Sequence, residues 1–261
     1  MSPYPSIGVA HERVADHSKH EIEILGPERN YRSECEYYRD VFPQLVGEFQ
    51  GAASVLDVGC GTGRLLELLR DRPEMERVGV ELNAERSVMA RAKADCEVLQ
   101  VPLASLDDSR RFDVVTLINV FSHLTHPDAA FAKLRTLLRP SGRLIVKTGE
   151  VVSSVRRSAV PDWGIPEHVQ FLGLGTVDWV CAAYGFAKVR HDRVPLAREL
   201  FEPGRWRTQG RGWWRNAVKS LVVGTPGGLA ALSAAYRLLH GDSVYSSLIV
   251  LTPGPGKDGA A

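Results

Sequence analysis

The stretch VLDVGCGTGRL, residues 55–65, decides what kind of fold this chain can form. It places Gly59, Gly61 and Gly63 within five positions, directly after an apolar run that contains one acid, Asp57. Glycine is costly inside regular secondary structure, so this spacing predicts a sharp turn between a strand and a helix. Because glycines carry no side chain, the backbone N–H groups of such a turn are open to a ligand. The start of the helix adds partial positive charge, and the stretch therefore predicts a nucleotide-binding turn.

Apolar runs and helical patterns alternate on both sides of this turn. We predict strands at residues 54–58, 76–82, 96–100, 112–119, 143–148, 187–194 and 243–252. We predict helices at residues 31–49, 63–72, 83–95, 126–140 and 176–186, the first of them interrupted near Pro43. Repeated strand–helix alternation predicts an α/β fold whose parallel sheet is covered by helices on both faces.

Several residues mark the predicted ends of these elements. Asn83 and Thr176 stand where an N-cap belongs, because their side-chain oxygens can accept hydrogen bonds from the free N–H groups of a helix start. Gly185 stands where a helix would stop. Residues 140–142, Pro-Ser-Gly, predict a turn between a helix and the next strand.

The composition excludes several classes of protein. The 261 residues carry a formal net charge of +1, so no overall field would attract nucleic acid, and we predict no nucleic-acid partner. The four cysteines are widely spaced and form no CxxC pair, which predicts reduced thiols and no metal site. No apolar run reaches the roughly 20 residues of a membrane span, and the first residues lack the apolar core of a signal peptide. We therefore expect a cytoplasmic protein.

The spacing of the glycines separates two kinds of adenosine-containing ligand. Dinucleotide-binding turns carry G-x-G-x-x-G, which sets a pyrophosphate on the helix N-terminus. This chain has G-x-G-x-G, with Asp57 two residues before the first glycine. The string DVGCGTG, residues 57–63, resembles motif I of the class I S-adenosylmethionine (SAM)-dependent methyltransferases. The resemblance covers roughly residues 50–190 and the final strand. It implies a doubly wound, seven-stranded, mostly parallel sheet whose last strand is antiparallel, with SAM as the cofactor.

The resemblance also implies where the cofactor would bind. Glu81 ends the second strand, where such folds place an acid that accepts hydrogen bonds from ribose hydroxyls, and Leu82 would lie against the adenine. Asn119 and Val120 follow the fourth strand and would border the methionine part of SAM. The predicted cofactor-binding residues are Asp57, Gly59, Cys60, Gly61, Gly63, Glu81, Leu82, Gln100, Asn119 and Val120.

One position departs from the family pattern. The family often has an aspartate after the third strand that accepts a hydrogen bond from the adenine N6 amine, and this chain has Pro102 there. Apolar packing and backbone groups, or Gln100, would then hold the adenine. The departure concerns this single contact and leaves the cofactor assignment in place.

Two histidines are candidates for the chemistry. Methyl transfer is an in-line displacement, in which the protein mainly holds the acceptor against the methyl group, and a base helps when the acceptor is a hydroxyl. His123 follows the fourth strand and His168 follows the fifth, and histidine titrates near the pH that a base needs. We predict O-methylation of a small molecule such as a sugar, an aromatic or a natural-product intermediate. A lipid-linked acceptor, a non-catalytic SAM-binding protein and, more distantly, a nicotinamide oxidoreductase remain alternatives.

The patterns divide the chain into four segments. Residues 1–50 form an N-terminal arm and cap helix, residues 51–194 with 243–253 form the SAM-binding core, residues 195–242 form a helical insert between the last two strands, and residues 254–261 form a flexible tail. The first half of the insert is rich in arginine and tryptophan, and the second half has two short apolar helical pieces. Three roles are open for it: a lid over an anionic or flat acceptor, an amphipathic arm on a membrane surface, and an arm that forms a homodimer.

Overall fold

Strands and helices alternate in the order that the sequence predicts. The computed structural model describes residues 27–151, 170, 172, 173, 175–194, 244–254 and parts of 221–235. Its helices are α1 (Pro27–Leu45), α2 (Arg64–Leu68), α3 (Ala84–Ala94), α4 (Pro127–Leu137) and α5 (Thr176–Tyr184). Its strands are β1 (Ser54–Val58), β2 (Glu76–Val80), β3 (Glu97–Leu99), β4 (Phe112–Ile118), β5 (Leu138–Val151), β6 (Phe186–Val194) and β7 (Val244–Pro253). Short 3₁₀ turns occupy Val46–Phe49, Leu103–Ser105 and Phe121–His123.

The seven strands form one sheet in the order β3-β2-β1-β4-β5-β7-β6. β1 pairs in parallel with β2 and β4, and β7 runs antiparallel to both of its neighbours, β5 and β6. The predicted sheet, seven-stranded and mostly parallel with its last strand antiparallel, is confirmed. The strand order reverses between β1 and β4, and ligands of open α/β sheets bind at the carboxyl ends of strands beside such a switch point. The glycine loop, residues 59–63, leaves β1 at this point.

The sheet separates the apolar core into two clusters, because alternate residues of a strand point to opposite faces. On one face, Val115 of β4 belongs to a cluster with Phe131 of α4 and further side chains of α5. On the other face, Val114 belongs to a cluster that includes Leu45 of α1 and Leu65 of α2. Helix α1 is therefore anchored on the same face of the sheet as the helix that follows the glycine loop.

The two predicted helix caps have different outcomes. Asn83 caps α3, since its side chain accepts a hydrogen bond from the Arg86 N–H at 2.9 Å, as predicted. The predicted cap at Thr176 is wrong, because Gly175 holds the N-cap position of α5. The Thr176 hydroxyl accepts instead from the Gly173 N–H at 2.9 Å, so it closes the turn before the helix.

Pro43 does not interrupt α1, although the sequence predicts a break there. It lies in the last turn, close to Leu45, and its missing N–H removes only the one bond that residue 43 would donate to the carbonyl of Arg39, so the helix continues through it. The helix passes directly into the 3₁₀ turn Val46–Phe49. Within the described ranges, no helix, α1 included, is both long and apolar enough to cross a membrane.

Strand β5 is longer than predicted, and the predicted turn at residues 140–142 lies inside it. Phe112 pairs with Leu138, whereas Val114 pairs with Arg143, so the register shifts between these two pairs. The β5 residues 139–142 stand opposite the single residue Asp113 of β4, so the pairing of the two strands is interrupted there. The turn residues are thus accommodated without ending the strand. The predicted stop at the end of α5 is confirmed, because Gly185 takes a left-handed conformation with φ 68°.

Candidate functional site

The glycine loop passes from β1 to α2 through three left-handed residues. Gly59, Gly61 and Gly63 have φ values of 71°, 57° and 87°. The N–H groups of Gly59 and Cys60 both donate to the carbonyl of Val80, at 2.7 and 3.0 Å, which ties the loop to the end of β2. A side chain in the left-handed region costs about 1–2 kcal/mol, so the conformation itself favours glycine.

Neighbouring elements occupy the space beside two of these glycines. A Cβ on Gly61 would lie 2.4 Å from Oε1 of Glu34, and a Cβ on Gly63 would lie 2.9 Å from Cα of Ala90 in α3. Both distances are shorter than real Cβ contacts allow. The glycines therefore let α1 and α3 pack against the loop, in addition to the ligand approach for which the sequence predicts them.

Glu34, on α1, places its carboxylate against the glycine loop, and sequence reasoning missed it. The two carboxylate oxygens accept from the Thr62 N–H at 2.9 and 3.2 Å, and Oε2 also accepts from the Thr62 hydroxyl at 2.5 Å. Burial raises the pKa of Glu34, and the hydrogen bonds from Thr62 oppose that rise. The sequence places Glu34 on the same helical face as Tyr38 and Val41, but only the structure shows that this face is buried and that Thr62 lies against it. An acid on a buried helical face needs a hydrogen-bond donor or an opposite charge beside it, because burying it without one costs free energy.

A second set of contacts ties α1 to the neighbouring helices. The Tyr31 hydroxyl donates to Oε2 of Glu67 at 2.7 Å, and Arg64 donates to the same oxygen at 2.7 Å. The Lys93 ammonium lies 4.3 Å from the centroid of the Tyr31 ring. Together with Glu34, these contacts hold α1 across the glycine loop.

Asp57 is buried in β1 directly before the loop, with 1% of its surface exposed. Its Oδ1 accepts from the Thr116 hydroxyl at 2.6 Å, whereas its Oδ2 has no hydrogen-bond partner among the described residues. Burial raises the pKa of Asp57 from 3.8 to about 7, the Thr116 hydrogen bond lowers it, and the charges of Glu34 and Glu81 raise it further. The orphaned oxygen marks a place where a cationic or hydrogen-bonding ligand would be stabilised.

Glu81 links the loop to the start of α3. Its Oε2 accepts from the Gly61 N–H at 3.0 Å, and its Oε1 accepts from the Asn83 N–H at 2.8 Å. Burial raises the pKa of Glu81, and the hydrogen bond from Asn83 lowers it. Each carboxylate oxygen can accept more than one hydrogen bond, so these contacts leave capacity for ribose hydroxyls, and that role stays a prediction.

Asn119 and Val120 lie beside the glycine loop, at the carboxyl end of β4. Asn119 has a left-handed backbone with φ 59°, and its N–H donates to the carbonyl of Lys147 at 2.8 Å. A Cβ on Gly59 would lie 2.5 Å from Cγ2 of Val120, so this valine packs on the loop. A non-glycine residue in this region is uncommon and often marks a functional site.

The other predicted cofactor residues lie around β2 and β3. Leu82 is 40% exposed, and its carbonyl accepts from the Gln100 side-chain amide at 3.2 Å. The Cys60 thiol is buried, and burial raises its pKa well above its ordinary value. Its sulfur would lie 2.7 Å from a Cβ on Gly79, so the side chain points into the packing against β2. Only the backbone of Cys60 is therefore placed to contact a ligand.

His123 ends the 3₁₀ turn that follows β4, and it is partly buried. Its N–H donates to the carbonyl of Val120 at 2.9 Å, so it sits one turn beyond the residue that packs on the glycine loop. The neighbouring carbonyl of Ser122 accepts from the Gln170 N–H at 3.1 Å. His168 lies outside the described residues, so the distance between the two predicted histidines is untested.

Comparison with known proteins defines the class of this protein. A family model described as a methyltransferase domain matches residues 29–191, more than half of the chain. The chain therefore belongs to the methyltransferase domain family. The predicted resemblance to class I SAM-dependent methyltransferases is confirmed, together with SAM as the cofactor of that class.

Individual relatives share part of the chain or the fold. The ubiquinone biosynthesis O-methyltransferase of Alkalilimnicola ehrlichii is 30% identical over 162 residues, which cover 57% of this chain and 64% of that protein. This chain thus spans less than two thirds of the length of that relative.

Two solved structures share the fold at lower identity. The O-methyltransferase of a trans-AT PKS multienzyme from Brevibacillus brevis, in complex with S-adenosylhomocysteine, superposes with a TM-score of 0.59 and 15% identity over 97% of this chain and 82% of that one. The [4+2]-cyclase SpnF superposes with a TM-score of 0.57 and 19% identity over 83% and 82%. The two names differ in activity, so the fold alone does not decide the reaction.

The charge around the glycine loop fits SAM and opposes a dinucleotide. Glu34, Asp57 and Glu81 interact electrostatically with one another, and the Arg86 charge acts on Glu34 and Glu81. SAM carries an ammonium and a sulfonium against one carboxylate, so its net charge is positive. The pyrophosphate of a dinucleotide would bring negative charge to these acids. The residues present therefore fit the cofactor of the family.

Proposed function

We propose that this chain transfers a methyl group from SAM to a hydroxyl oxygen of a small molecule. The observation that carries the proposal is the set of buried carboxyl groups, Asp57 and Glu81 foremost, around a G-x-G-x-G loop at the topological switch point. The 30% identity to a curated O-methyltransferase favours oxygen as the acceptor atom. The predicted acceptor class, a sugar, an aromatic or a natural-product intermediate, is part of this proposal.

The proposal gives each predicted cofactor residue a task. When bound, SAM supplies an electrophilic methyl group on a sulfonium. Asp57 stabilises the cationic methionine part, and Glu81 accepts hydrogen bonds from the ribose. Leu82 covers the adenine, and Gln100 borders it. Asn119, with Val120 beside it, limits the methionine end of the pocket, and the loop backbone from Gly59 to Gly63 forms its floor.

The acceptor side rests on the two histidines. His123, after β4, and His168, after β5, would contact the acceptor, and one of them would take the hydroxyl proton as the oxygen attacks the methyl group. We propose that residues 51–194 with 243–253 form the catalytic core, behind the cap formed by residues 1–50. Residues 195–242 would close over the acceptor as a lid, for which their arginines and tryptophans provide suitable chemistry.

Calorimetry and product analysis test the proposal together. The chain should bind SAM and should not bind NAD⁺, because the acids round the loop oppose a pyrophosphate. Incubation of SAM carrying an isotopically labelled methyl group with a panel of phenolic and sugar hydroxyl compounds should then give a labelled ether. Cofactor binding without any labelled product from the physiological acceptor would favour a non-catalytic SAM-binding protein.

The histidine roles have a separate test. His123→Ala and His168→Ala should each be measured for turnover on the acceptor that gives product. Loss of turnover with retained SAM affinity in at least one variant supports acceptor contact. Wild-type turnover in both variants removes the histidines from the proposal and leaves positioning as the main catalytic contribution.

The insert also allows two other partners. An amphipathic arm would bring the enzyme to a lipid-linked acceptor, and flotation of the full chain with liposomes separates that role from a lid. If the insert forms a dimer, the mass from light scattering should fall from that of a dimer to that of a monomer when residues 196–241 are deleted. We further propose a cytoplasmic location, which the four free cysteines support, since Cys35, Cys60, Cys96 and Cys181 form no disulfide.

A further inference from the structure

Glu34 has a place in the cofactor site that the family resemblance did not assign. Its carboxylate bonds both the N–H and the hydroxyl of Thr62, in the middle of the glycine loop. Its Oε1 lies 2.4 Å from the position that a Cβ on Gly61 would take. Helix α1 thus delivers a negative charge to the segment whose backbone forms the floor of the proposed methionine pocket.

Two further carboxyl groups lie beside the same loop. Asp57 is buried and leaves Oδ2 without a hydrogen-bond partner among the described residues. Glu81 shares the loop through the Gly61 N–H. The charge of Glu34 raises the pKa of Asp57, so these two carboxyl groups lie within electrostatic reach of each other. At Glu34 the Arg86 charge lowers the pKa and the Glu81 charge raises it. Three neighbouring carboxyl groups are stabilised in their charged form when a cation binds between them.

We infer that Glu34 makes the cofactor site select the cationic methyl donor over its neutral demethylated product. The inference rests on the proposed function. Donor and product share the adenosine, the ammonium and the carboxylate, and they differ in one group: the sulfonium of the donor becomes an uncharged thioether when the methyl group leaves. Packing can discriminate only through the single methyl group, whereas a carboxylate in a poorly solvated site acts on the difference in charge directly. Product release is then favoured because the attraction disappears with the methyl group.

Glu34→Gln tests this inference, because the amide keeps the size of the side chain and an oxygen that can accept from Thr62. Calorimetry measures the affinities for SAM and S-adenosylhomocysteine in the wild type and the variant. A unit charge about 10 Å away at an effective dielectric constant of about 20 changes affinity by about tenfold. We therefore expect SAM binding to weaken about tenfold in Glu34→Gln, while S-adenosylhomocysteine binding changes less than about twofold.

Glu67→Gln is the matched control. Glu67 also holds α1, through Tyr31, but its carboxylate does not contact the glycine loop in the described structure. If Glu34 acts only by fastening the helix, both variants should weaken the two ligands by equal factors. The inference is overturned if Glu34→Gln binds SAM and S-adenosylhomocysteine more weakly by equal factors, or if it binds SAM as tightly as the wild type.

A measurement on the wild type covers the case in which the variant does not fold. Burial raises the pKa values of Glu34 and Asp57, so a bound cation should make these groups release protons. Calorimetry in two buffers of different ionisation enthalpy counts the protons released. SAM should release more than S-adenosylhomocysteine, and equal release by both overturns the inference. A wild-type chain that binds neither ligand would instead refute the proposed function.

Discussion

Asp57 should make the stability of the folded chain depend on pH, and Asp57→Asn should remove that dependence. Burial raises the pKa of Asp57 from 3.8 to about 7 in the folded chain. Below the lower value the carboxyl is protonated in both the folded and the unfolded chain, and its contribution to stability is complete. Between the two values the unfolded chain releases the proton while the folded chain keeps it, so the free energy of unfolding falls as pH rises.

The size of the effect follows from the two pKa values. Each pH unit between 3.8 and about 7 costs about 1.4 kcal/mol, so the full loss approaches about 4 kcal/mol. About 3 kcal/mol of it falls between pH 5 and pH 8, a range over which urea unfolding can be followed by tryptophan fluorescence. The asparagine can still accept from Thr116, and any cost of its unpaired amide is the same at every pH. The free energy of unfolding of Asp57→Asn, relative to that of the wild type, should therefore rise by about 3 kcal/mol between pH 5 and pH 8.

Thr116→Val provides the control in the opposite direction. Its hydroxyl lowers the pKa of Asp57 by donating to Oδ1, so its removal should raise that pKa in the folded chain. The loss of stability should still begin near pH 3.8, but it should continue to a higher pH and become larger than in the wild type. The double variant should show neither effect. If the stabilities of wild type and Asp57→Asn keep a constant difference from pH 5 to pH 8, the carboxyl is not held protonated by burial and the reasoning fails.

Three further substitutions test packing around the loop and sheet, each by urea unfolding. Gly63→Ala should cost about 2–4 kcal/mol, because φ is 87° and the new Cβ would meet Cα of Ala90 at 2.9 Å; wild-type stability would disprove this clash. Arg77→Met should cost about 2–3 kcal/mol, since the guanidinium donates to three backbone carbonyls at the ends of α2 and α3; a loss below about 0.5 kcal/mol would show these bonds to be ineffective. Leu134→Ala should cost about 2–5 kcal/mol because Leu134 is fully buried, and a neutral result would contradict that burial.

Much of the fold was predictable because the decisive patterns are local. The buried strand FDVVTLI, Phe112–Ile118, has a near-continuous apolar sequence, and the cap at Asn83 depends on the backbone three residues away. The wrong cap prediction at Thr176 also concerns a local contact, because its hydroxyl accepts from Gly173, three residues before it, and not from an N–H of the helix. Both partners lie equally near in the sequence, and the backbone conformation before the helix decided between them.

The candidate site shows the same division. Asp57 and Glu81 were predictable, since both stand at strand ends beside the glycine loop. Glu34 was not, because its partner Thr62 lies 28 residues further along the chain and α1 could have packed elsewhere. The burial of Asp57, with one oxygen bonded by Thr116 of the next strand in space, likewise depends on β1 pairing with β4.

The sequence by itself determined the alternation of strands and helices, the turn at residues 59–63 and the kind of adenosine-containing cofactor that suits it. These properties depend on the allowed backbone angles of glycine and on hydrophobic periodicity, which act between near neighbours. Only the tertiary structure decided that α1 lies on the loop and that Glu34 brings a third acid to it. Segments distant in the sequence come together where they can bury apolar surface against each other. The burial and the neighbours that result then set the pKa values of the acids that these segments carry.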